Sequence, residues 1–422
     1  MKIKQLLSLI LPLLLVAQAN AQSLPAAKPE MVGLSSTRLA RIDTVMNDYV
    51  RTNRIPGAVA LVVRHGKVAY FKSFGKRDIE SKSPMQTDAM FRIASMTKAI
   101  TSVAVMTLYE RGYFLLNDPL SRYIPEFKNP KVITLSPKGD TVLVPAKSEI
   151  TIRELLNHTS GITYGDPLQA RYYTQAGMTV GLTPTDGVLK DKILKLAKLP
   201  LISHPGEEFH YGMSVDVLGY LIEVLTHKTL DQYIREAVLN PLQMHDTYFS
   251  VPENKASRLA SIYRLRDGQL EKTTKYFPYP APQHYFAGGA GLVSTAADYS
   301  HFAQMLLNKG ELNGVRILSP MTVELMTRNS IGDIYIFTSF KHNGIMGDKF
   351  GLGFGLRTAQ HTGYEELESE GQFGWDGALY TRFWVDPKQD MFGIFLSQME
   401  NYWDENLIGK YRVLVNQAVV GK

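Results

Sequence analysis

The chain contains no cysteine at any of its 422 positions. It therefore forms no disulfide, carries no lipid on an N-terminal cysteine, and has neither a thiol nucleophile nor a thiolate metal site. Beyond the N-terminus no apolar run approaches the length of a membrane span. Clusters of Lys and Arg interleaved with aromatic residues are also lacking, so we expect no nucleic-acid partner. The overall composition, with 45% hydrophobic and 20% charged residues, is typical of a globular enzyme with a large core.

The first 21 residues have the pattern of a secretory signal. Lys2 and Lys4 precede an apolar run at 6–16, and Ala19-Asn20-Ala21 supplies small residues for cleavage. The alternative is an uncleaved anchor helix, but this run is short for a bilayer. We therefore expect an exported protein, periplasmic or secreted, without a membrane span once the signal is removed.

The candidate chemistry lies in residues 91–111, FRIASMTKAITSVAVMTLYER. Between Arg92 and Glu110 the only charged residue is Lys98, and apolar residues cover nearly every face at helical spacing, which predicts a buried helix. Ser95 stands three positions earlier, on the same face and near the first turn. Burial lowers the pKa of a lysine, and a neutral amine can take the serine's proton. Ser95 and Lys98 are thus a candidate nucleophile and base; the alternative is a capping serine with a lysine that reaches solvent.

Other motifs are weaker. A second Ser-x-x-Lys match, Ser73 to Lys76, lies at the end of a predicted hairpin in a polar setting and is expected at the surface. No Gly-x-Ser-x-Gly elbow occurs. His158 is expected to be a structural hydrogen-bonding residue rather than a base, and the remaining histidines lack metal-binding spacing. No metal or cofactor is therefore implied.

The periodicity of the chain predicts its fold class. Residues 34–52, 298–309 and 406–420 have helical spacing, and a β-hairpin is expected at 57–75. Strand patterns return after Gly351. Strands near both ends with helices between them predict an α/β fold, an α+β sandwich, in which an antiparallel β-sheet is flanked by N- and C-terminal helices. We assign 22–115 and 286–422 to this sheet domain and 116–285 to an inserted, mostly helical domain, with the active site in the groove between them.

Five blocks of sequence, taken in order, carry a resemblance to a known family. They are FRIASMTKAITSVAVMTLYERG, LNDPLSRYIPEF, ITIRELLNHTSGI, PGEEFHYGMSVDVLGYLIE and AGGAGLVSTAADYSHFAQMLLN. Together they make the chain resemble the serine hydrolases of the β-lactamase and penicillin-binding superfamily. It is most similar to class C β-lactamases and family VIII carboxylesterases.

The resemblance implies a role for each matching residue. Ser95 would form an acyl-enzyme, Lys98 would share its proton, and Tyr211 of the second motif would act with Lys98 as general base and acid. Backbone N–H groups of Ser95 and Ala378 would form the oxyanion hole. A phenol needs a cationic neighbour for such a role, and Lys98 would then be charged part of the time, so the pair titrates as a unit. Without the resemblance, Tyr211 would be one tyrosine among 22.

Two departures from the β-lactamase pattern bear on the substrate. The second motif reads Tyr211-Gly212-Met213 where β-lactamases have Tyr-x-Asn, and the third reads Trp375-Asp376-Gly377 where they have Lys-Thr-Gly. The cation that engages a β-lactam carboxylate is thus missing. Family VIII esterases commonly have Trp-Gly-Gly here, so Trp375 favours neutral esters. Asp376 either prefers a cationic substrate, repels carboxylates, or faces solvent. Met213, Trp375, Asp376 and Gly377 are the expected substrate-binding residues.

These observations together predict an exported serine hydrolase that acts through an acyl-enzyme, and they favour a carboxylesterase that acts on small esters. The enzymatic alternatives are a β-lactamase, a D-amino-acid peptidase or an amide hydrolase. A different class of protein, a non-catalytic relative that binds peptidoglycan or another ligand, is disfavoured because Ser95, Lys98 and Tyr211 are all present.

Overall fold

The computed structural model describes residues 24–183, 186–274, 276, 284–336, 348–359, 367–400 and 407–421. The predicted signal segment at 1–21 lies outside these residues. Among the helices that are described, none is long and apolar enough to cross a bilayer.

The helices are α1 (Ser36–Arg51), α2 (Thr97–Glu110), α3 (Ile152–Leu156), α4 (Ala170–Gln175), α5 (Leu189–Leu196), α6 (Ser214–Thr226), α7 (Leu230–Ile234), α8 (Ala296–Leu307), α9 (Pro320–Met326) and α10 (Leu407–Asn416). Short 3-10 helices lie at Pro29–Val32, Ala94–Met96, Leu120–Arg122, Pro125–Phe127 and Glu253–Arg258, and a π-helix lies at Arg235–Leu239.

The strands are β1 (Gly57–Arg64), β2 (Lys67–Asp78), β3 (Ser83–Pro84), β4 (Phe91–Arg92), β5 (Lys131–Leu135), β6 (Thr141–Pro145), β7 (Ile262–Arg266), β8 (Gln269–Thr273), β9 (Val293–Ser294), β10 (Glu311–Leu312), β11 (Val315–Arg316), β12 (Lys349–Phe350), β13 (Gly355–Leu356), β14 (Phe373–Gly377), β15 (Thr381–Asp386), β16 (Met391–Leu396) and β17 (Met399–Glu400).

One large antiparallel sheet joins the two ends of the chain. Its strand order is β12-β13-β14-β15-β16-β1-β2-β3. Strands β1 and β16 pair with Leu61 opposite Ile394, so the N-terminal hairpin completes a sheet begun by C-terminal strands. The predicted fold class is therefore confirmed.

The sheet lies between two hydrophobic cores, so its strand β1 is buried on both faces. Val59, Leu61 and Val63 face the core that contains α2 and α8. The alternate residues of β1 face a second core, which contains α1 and α10. A strand covered on both sides needs a continuous apolar run, as in GAVALVV, rather than alternation. Below, the α2 side is called the front face of the sheet and the α10 side the back face.

The segment between residues 116 and 285 contains more strand than we predicted. Helices α3, α5 and α7 pack around α6, and β5 and β6 form an antiparallel hairpin. A second hairpin, β7–β8, is not part of the mostly helical prediction, and β7 pairs in parallel with β17. Its turn is formed by Asp267 and Gly268, which both have positive φ. The boundaries of the inserted domain stay a prediction.

Candidate active site

Ser95 lies in a tight turn between a short strand and a buried helix. The 3-10 turn Ala94–Met96 runs directly into α2. The residue before Ser95, Ala94, has φ 45°, a left-handed conformation that costs energy for a residue with a side chain. Tyr299 Oη donates to the Met96 carbonyl at 3.0 Å, which holds the turn against α8. Ser95 itself is half-buried, whereas its neighbours on both sides are buried.

The amine of Lys98 is buried inside the fold and fully engaged. Its side chain is 1% exposed. Nζ donates to Ser95 Oγ at 3.3 Å, to Tyr164 Oη at 2.8 Å and to the Gly289 carbonyl at 2.7 Å. These three bonds use all the donors of an ammonium group. The predicted pairing of Ser95 with Lys98 is therefore present as a hydrogen bond.

The charge on Lys98 differs from the sequence-based expectation. Burial does lower the pKa of this amine, but the oxygens of Tyr164 and Tyr211 and the Asp216 carboxylate favour the cation more strongly, so the pKa of Lys98 is raised above its ordinary value. The expectation that burial leaves a neutral amine is corrected, since Lys98 is the cation of the site at neutral pH.

Tyr164 is a functional candidate that our sequence analysis missed. It follows the NHTSGI segment after α3, and its hydroxyl is the tyrosine oxygen that hydrogen-bonds Lys98 Nζ. Burial raises the pKa of Tyr164, with the Lys98 cation opposing that effect. The sequence offers one signal for Tyr164, its position two residues beyond Ile162, which is the last residue of the family block ITIRELLNHTSGI.

Tyr211 contacts the Lys98 amine through its aromatic ring. The Lys98 Nζ atom is 4.7 Å from the centroid of the Tyr211 ring, within range of a cation–π contact. Rings of Tyr211 and Tyr164 meet edge to face, with centroids 5.7 Å apart. Gly212 permits this approach, because a Cβ there would collide with the Ile162 carbonyl oxygen. The tyrosine chosen from the sequence thus lies in the site, next to a second one.

His158 supports Tyr211 by packing. It is fully buried, and its ring centroid lies 4.8 Å from that of Tyr211. Burial, with the Lys98 charge adding to it, holds the pKa of His158 well below its usual value, so the imidazole is neutral. Neither ring nitrogen has a hydrogen-bond partner among the described residues. The expected hydrogen-bonding role is therefore wrong, and the structural role is exerted through ring contacts.

The AGGAG segment closes the site behind Lys98. The Gly289 carbonyl accepts from Lys98, and the Gly289 N–H donates to Asp216 Oδ1 at 3.3 Å. A Cβ at position 289 would lie 2.5 Å from Asp216 Oδ2 and 3.3 Å from Lys98 Nζ. Only glycine fits between these two charged groups.

The third-motif strand β14 brings Trp375 and Gly377 to the site. Trp375 Nε1 donates to Tyr211 Oη at 3.0 Å, and the two ring centroids are 5.3 Å apart. Gly377 lies against the nucleophile turn, where a Cβ would collide with the Ile93 carbonyl oxygen. The next residue, Ala378, is exposed. The end of β14 thus lies beside the turn that carries Ser95.

Two of the expected substrate-binding residues do not face the groove. Met213 is fully buried in the front core. Asp376 alternates with Trp375 along β14, so its side chain points to the back face, where it forms a two-bond ion pair with Arg382. Burial raises the pKa of Asp376, and Arg382 opposes that rise. Both expectations for Asp376, substrate contact and exposure to solvent, are corrected by this pairing.

The Ser-x-x-Lys match at Ser73 differs from the Ser95 motif in local structure. It lies on β2, where a spacing of three residues puts Ser73 and Lys76 on opposite faces of the strand. Lys76 is exposed. The prediction that this pair belongs to the surface is confirmed for the lysine. Within the residues that the structure describes, no three His, Asp or Glu side chains are grouped to hold a metal ion.

Comparison with known proteins agrees with this geometry. A model of the Beta-lactamase family matches residues 42–417. The chain belongs to the Beta-lactamase family. The resemblance to serine β-lactamases and penicillin-binding proteins is thereby confirmed, and this family is one of serine hydrolases with esterase and acyltransferase members.

Individual relatives cover most of the chain. Protein Rv1367c of Mycobacterium tuberculosis is 35% identical over 359 residues, which are 82% of this chain and 86% of the relative. Esterase EstB of Burkholderia gladioli is 34% identical over 290 residues, or 64% of this chain and 70% of EstB. The solved structure of EstCE1, described as a hydrolase with promiscuous acyltransferase activity, has a TM-score of 0.73 at 27% identity. That match covers 91% of this chain and 99% of EstCE1.

Proposed function

We propose that this protein is an exported carboxylesterase that hydrolyses small, neutral esters through an acyl-enzyme on Ser95. The observation that carries the proposal is the set of bonds from Lys98 Nζ, which join the Ser95 hydroxyl to the Tyr164 hydroxyl through one buried amine. A serine activated in this way needs no metal or bound cofactor to attack a carbonyl.

The first step is attack of Ser95 Oγ on the ester carbonyl carbon. The serine proton passes to the Lys98–tyrosine cluster, which must first have lost one proton. Negative charge develops on the carbonyl oxygen and is stabilised by the backbone N–H groups of Ser95 and Ala378. The bond to the alkoxy group then breaks, the cluster returns the proton to the departing alcohol, and an acyl-serine remains.

The second step reverses these roles with water. Water attacks the acyl carbon while the cluster accepts one of its protons. The tetrahedral intermediate collapses, Ser95 regains its proton from the cluster, and the carboxylic acid leaves. Either tyrosine of the site can carry the proton, Tyr164 through its bond to Lys98 and Tyr211 from beside the same amine.

The preference for neutral esters rests on Trp375. Where β-lactamases have a lysine, this chain has an indole that is 3% exposed and hydrogen-bonded to Tyr211. No cation is therefore offered at that position to a substrate carboxylate. The buried Met213 likewise offers no amide to a β-lactam carbonyl. The esterase relative EstB is consistent with this choice.

Side-by-side rates on a p-nitrophenyl short-chain ester and a chromogenic cephalosporin test the proposal, with Ser95→Ala as the blank for both. We expect ester turnover that is lost in the variant, and cephalosporin turnover at least about a hundredfold slower, because the carboxylate contact is worth about 3 kcal/mol. Rapid cephalosporin turnover without esterase activity would overturn the carboxylesterase assignment.

A second candidate activity is acyl transfer to an alcohol, which the description of EstCE1 favours. The same acyl-serine would be attacked by an alcohol instead of water, giving a new ester. Adding a primary alcohol at increasing concentration distinguishes the two. For a hydrolase, acid remains the main product, whereas ester formation at low alcohol concentration would favour a transferase.

Export is the remaining part of the proposal and rests on the signal pattern at 1–21. Expression of the full chain in a bacterium followed by fractionation tests it. We expect the exported fraction to hold a protein that begins at Gln22. Recovery of the uncleaved chain in the membrane fraction would contradict cleavage.

A further inference from the structure

Lys192 is a second buried lysine close to the candidate active site, and the proposed reaction gives it no role. It lies on α5 and is 6% exposed. The other charged residues of this helix, Lys190, Asp191 and Lys195, are exposed. A lysine is seldom buried to this extent unless the fold supplies a partner for its charge. The sequence of α5 therefore points one lysine inwards while the others face solvent.

The ring of Tyr285 holds the Lys192 amine inside the fold. Lys192 Nζ is 4.5 Å from the centroid of that ring, within range of a cation–π contact. Tyr285 is 3% exposed, and its hydroxyl has no hydrogen-bond partner among the described residues. Tyr285 thus contributes its ring to the contact, and its hydroxyl is not part of the hydrogen bonds around Lys98.

Asp216 acts on both buried lysines. It lies in the first turn of α6, on which α5 packs. Its Oδ1 accepts from the Gly289 N–H, and the carbonyl of the same glycine accepts from Lys98. The Asp216 charge favours the cation on Lys98 and also the cation on Lys192. One carboxylate is therefore shared between two amines, of which Lys98 contacts Ser95 and Lys192 does not.

A charge on Lys192 favours loss of a proton from the Lys98–tyrosine cluster. That cluster must lose one proton before it can accept the proton of Ser95. A second cation on the same carboxylate offsets the attraction of Asp216 for Lys98, and like charges repel strongly in a buried site. The deprotonated form of the cluster is therefore reached at a lower pH than it would be without Lys192.

We propose that the charged amine of Lys192 sets the proton affinity of the Lys98–tyrosine cluster through the shared Asp216 carboxylate. Because Lys192 acts through Asp216, it is a positioning residue and not a catalytic one. Among the described residues, the titratable groups that face it from packed elements are Asp216 and Tyr285. This inference rests on the proposed function, since it concerns the same cluster.

The rate at which a fluorophosphonate labels Ser95 tests the proposal, with Ser95→Ala as the blank. Labelling needs the same loss of a proton and does not depend on which ester is the substrate. Lys192→Met fills the same space without the charge. We expect it to be labelled about tenfold more slowly than the wild type at about pH 7–8, the effect of removing one nearby buried charge. The matched control, Lys195→Met on the exposed side of α5, should be labelled at the wild-type rate.

The pH profile separates the charge of Lys192 from its packing. Burial lowers the pKa of Lys192, so the wild type should lose its advantage over Lys192→Met steadily as the pH rises to about 10.5. Lys192→Arg holds its charge over this range and should keep its advantage at every pH. The ratio of the Lys192→Arg rate to the wild-type rate should therefore rise with pH, a comparison that stands even if Lys192→Met does not fold.

The outcomes distinguish this inference from the proposed function. A folded wild type that is not labelled would overturn both. Labelling of the wild type with the same pH profile in Lys192→Met would overturn the inference alone. A deficit in Lys192→Met that is constant with pH and is not restored in Lys192→Arg would also overturn it, and would assign Lys192 to packing.

Discussion

The indole N–H of Trp375 donates a 3.0 Å hydrogen bond to the phenol oxygen of Tyr211, although 164 residues separate them in the chain. This bond links the third-motif strand to the second-motif tyrosine. It fixes one lone pair of the Tyr211 oxygen and so orients the hydroxyl next to Lys98, whose Nζ lies 4.7 Å from the ring. Trp375, on which the proposed preference for neutral esters rests, is thus also placed to position the tyrosine of the proposed proton-transfer cluster.

Trp375→Phe should therefore slow the chemical step more than it weakens substrate binding. The variant keeps an aromatic ring but loses the donor to Tyr211. We expect kcat on a p-nitrophenyl ester to fall about tenfold, the worth of one hydrogen bond, with KM little changed. A rise in KM at unchanged kcat would show that Trp375 acts mainly as a wall of the substrate site.

Tyr164→Phe removes the hydrogen bond from the Lys98 amine to a phenol. Because that bond joins Tyr164 directly to the amine that contacts Ser95, we expect kcat to fall by at least about a hundredfold, within the range for loss of a general acid or base. Tyr211→Phe should cause a loss of similar size. The exposed Tyr113 provides the control, since Tyr113→Phe should leave kcat unchanged.

The paired tyrosine variants also separate two accounts of proton transfer. If Tyr164 and Tyr211 act as one cluster with Lys98, the double variant should lose much less than the product of the two single losses. If Tyr164→Phe retained wild-type kcat while Tyr211→Phe lost it, Tyr211 alone would carry the proton, and Tyr164 would be only a structural neighbour of Lys98.

Local patterns were enough to predict the central strand of the sheet and the burial of the helix that contains Lys98. The continuous apolar run of β1 and the single lysine inside α2 each indicate burial on every side, which the structure confirms. The contacts of Tyr164 could not be predicted in this way. They depend on a close approach of two loops at Gly212, which no spacing within either loop encodes.

The corrections for Asp376 and for Lys98 have the same physical origin. Asp376 lies one residue from Trp375 on a strand, so it points to the opposite face, and its partner Arg382 is six residues further on. The charge of Lys98 depends on oxygens contributed by Tyr164, Tyr211 and Asp216, all distant in sequence. Composition around a single residue predicts burial, but the partners that set its charge are brought together only by the fold.

Asp376→Asn should affect stability and leave substrate selection unchanged. Loss of the carboxylate leaves Arg382, which is 2% exposed, without its ion-pair partner. We expect the free energy of unfolding in urea to fall by about 3 kcal/mol. Asp140→Asn, at an exposed position, should change it by less than about 0.5 kcal/mol.

The same Asp376 variant tests the original expectation of a substrate contact. The ratio of kcat/KM for a choline ester to that for its neutral isostere should be the same in Asp376→Asn and in the wild type. A drop in that ratio of tenfold or so would mean that the carboxylate reaches the substrate after all.

Activity should rise with pH across the neutral and mildly alkaline range. The pKa values of Lys98 and Tyr164 are both raised in the folded protein, so at neutral pH both hold their protons. The form able to accept the serine proton must lose one of them. We expect kcat/KM to increase about tenfold per pH unit between about pH 7 and 9, after subtraction of the Ser95→Ala blank.

The same pKa shifts predict the effect of alkali on stability. A raised pKa in the folded state means that the protonated form stabilises the fold, fully below the ordinary lysine and tyrosine values near 10 and progressively less as the pH rises through the folded values. Tm should therefore fall above about pH 10.

The pH profile of kcat/KM can also contradict the charge assigned to Lys98. If kcat/KM is constant between pH 7 and 9 and falls only with a pKa below 7, Lys98 is neutral at physiological pH.

The most direct test of the central claim is the intact mass of the protein after reaction with a fluorophosphonate. The account predicts addition of one phosphonyl group per chain, on the peptide that contains Ser95, and no addition to Ser95→Ala. Tyr113→Phe should be labelled at the wild-type rate. Equal labelling of Ser95→Ala, or a wild-type protein that is folded and remains unmodified, would contradict Ser95 as the nucleophile.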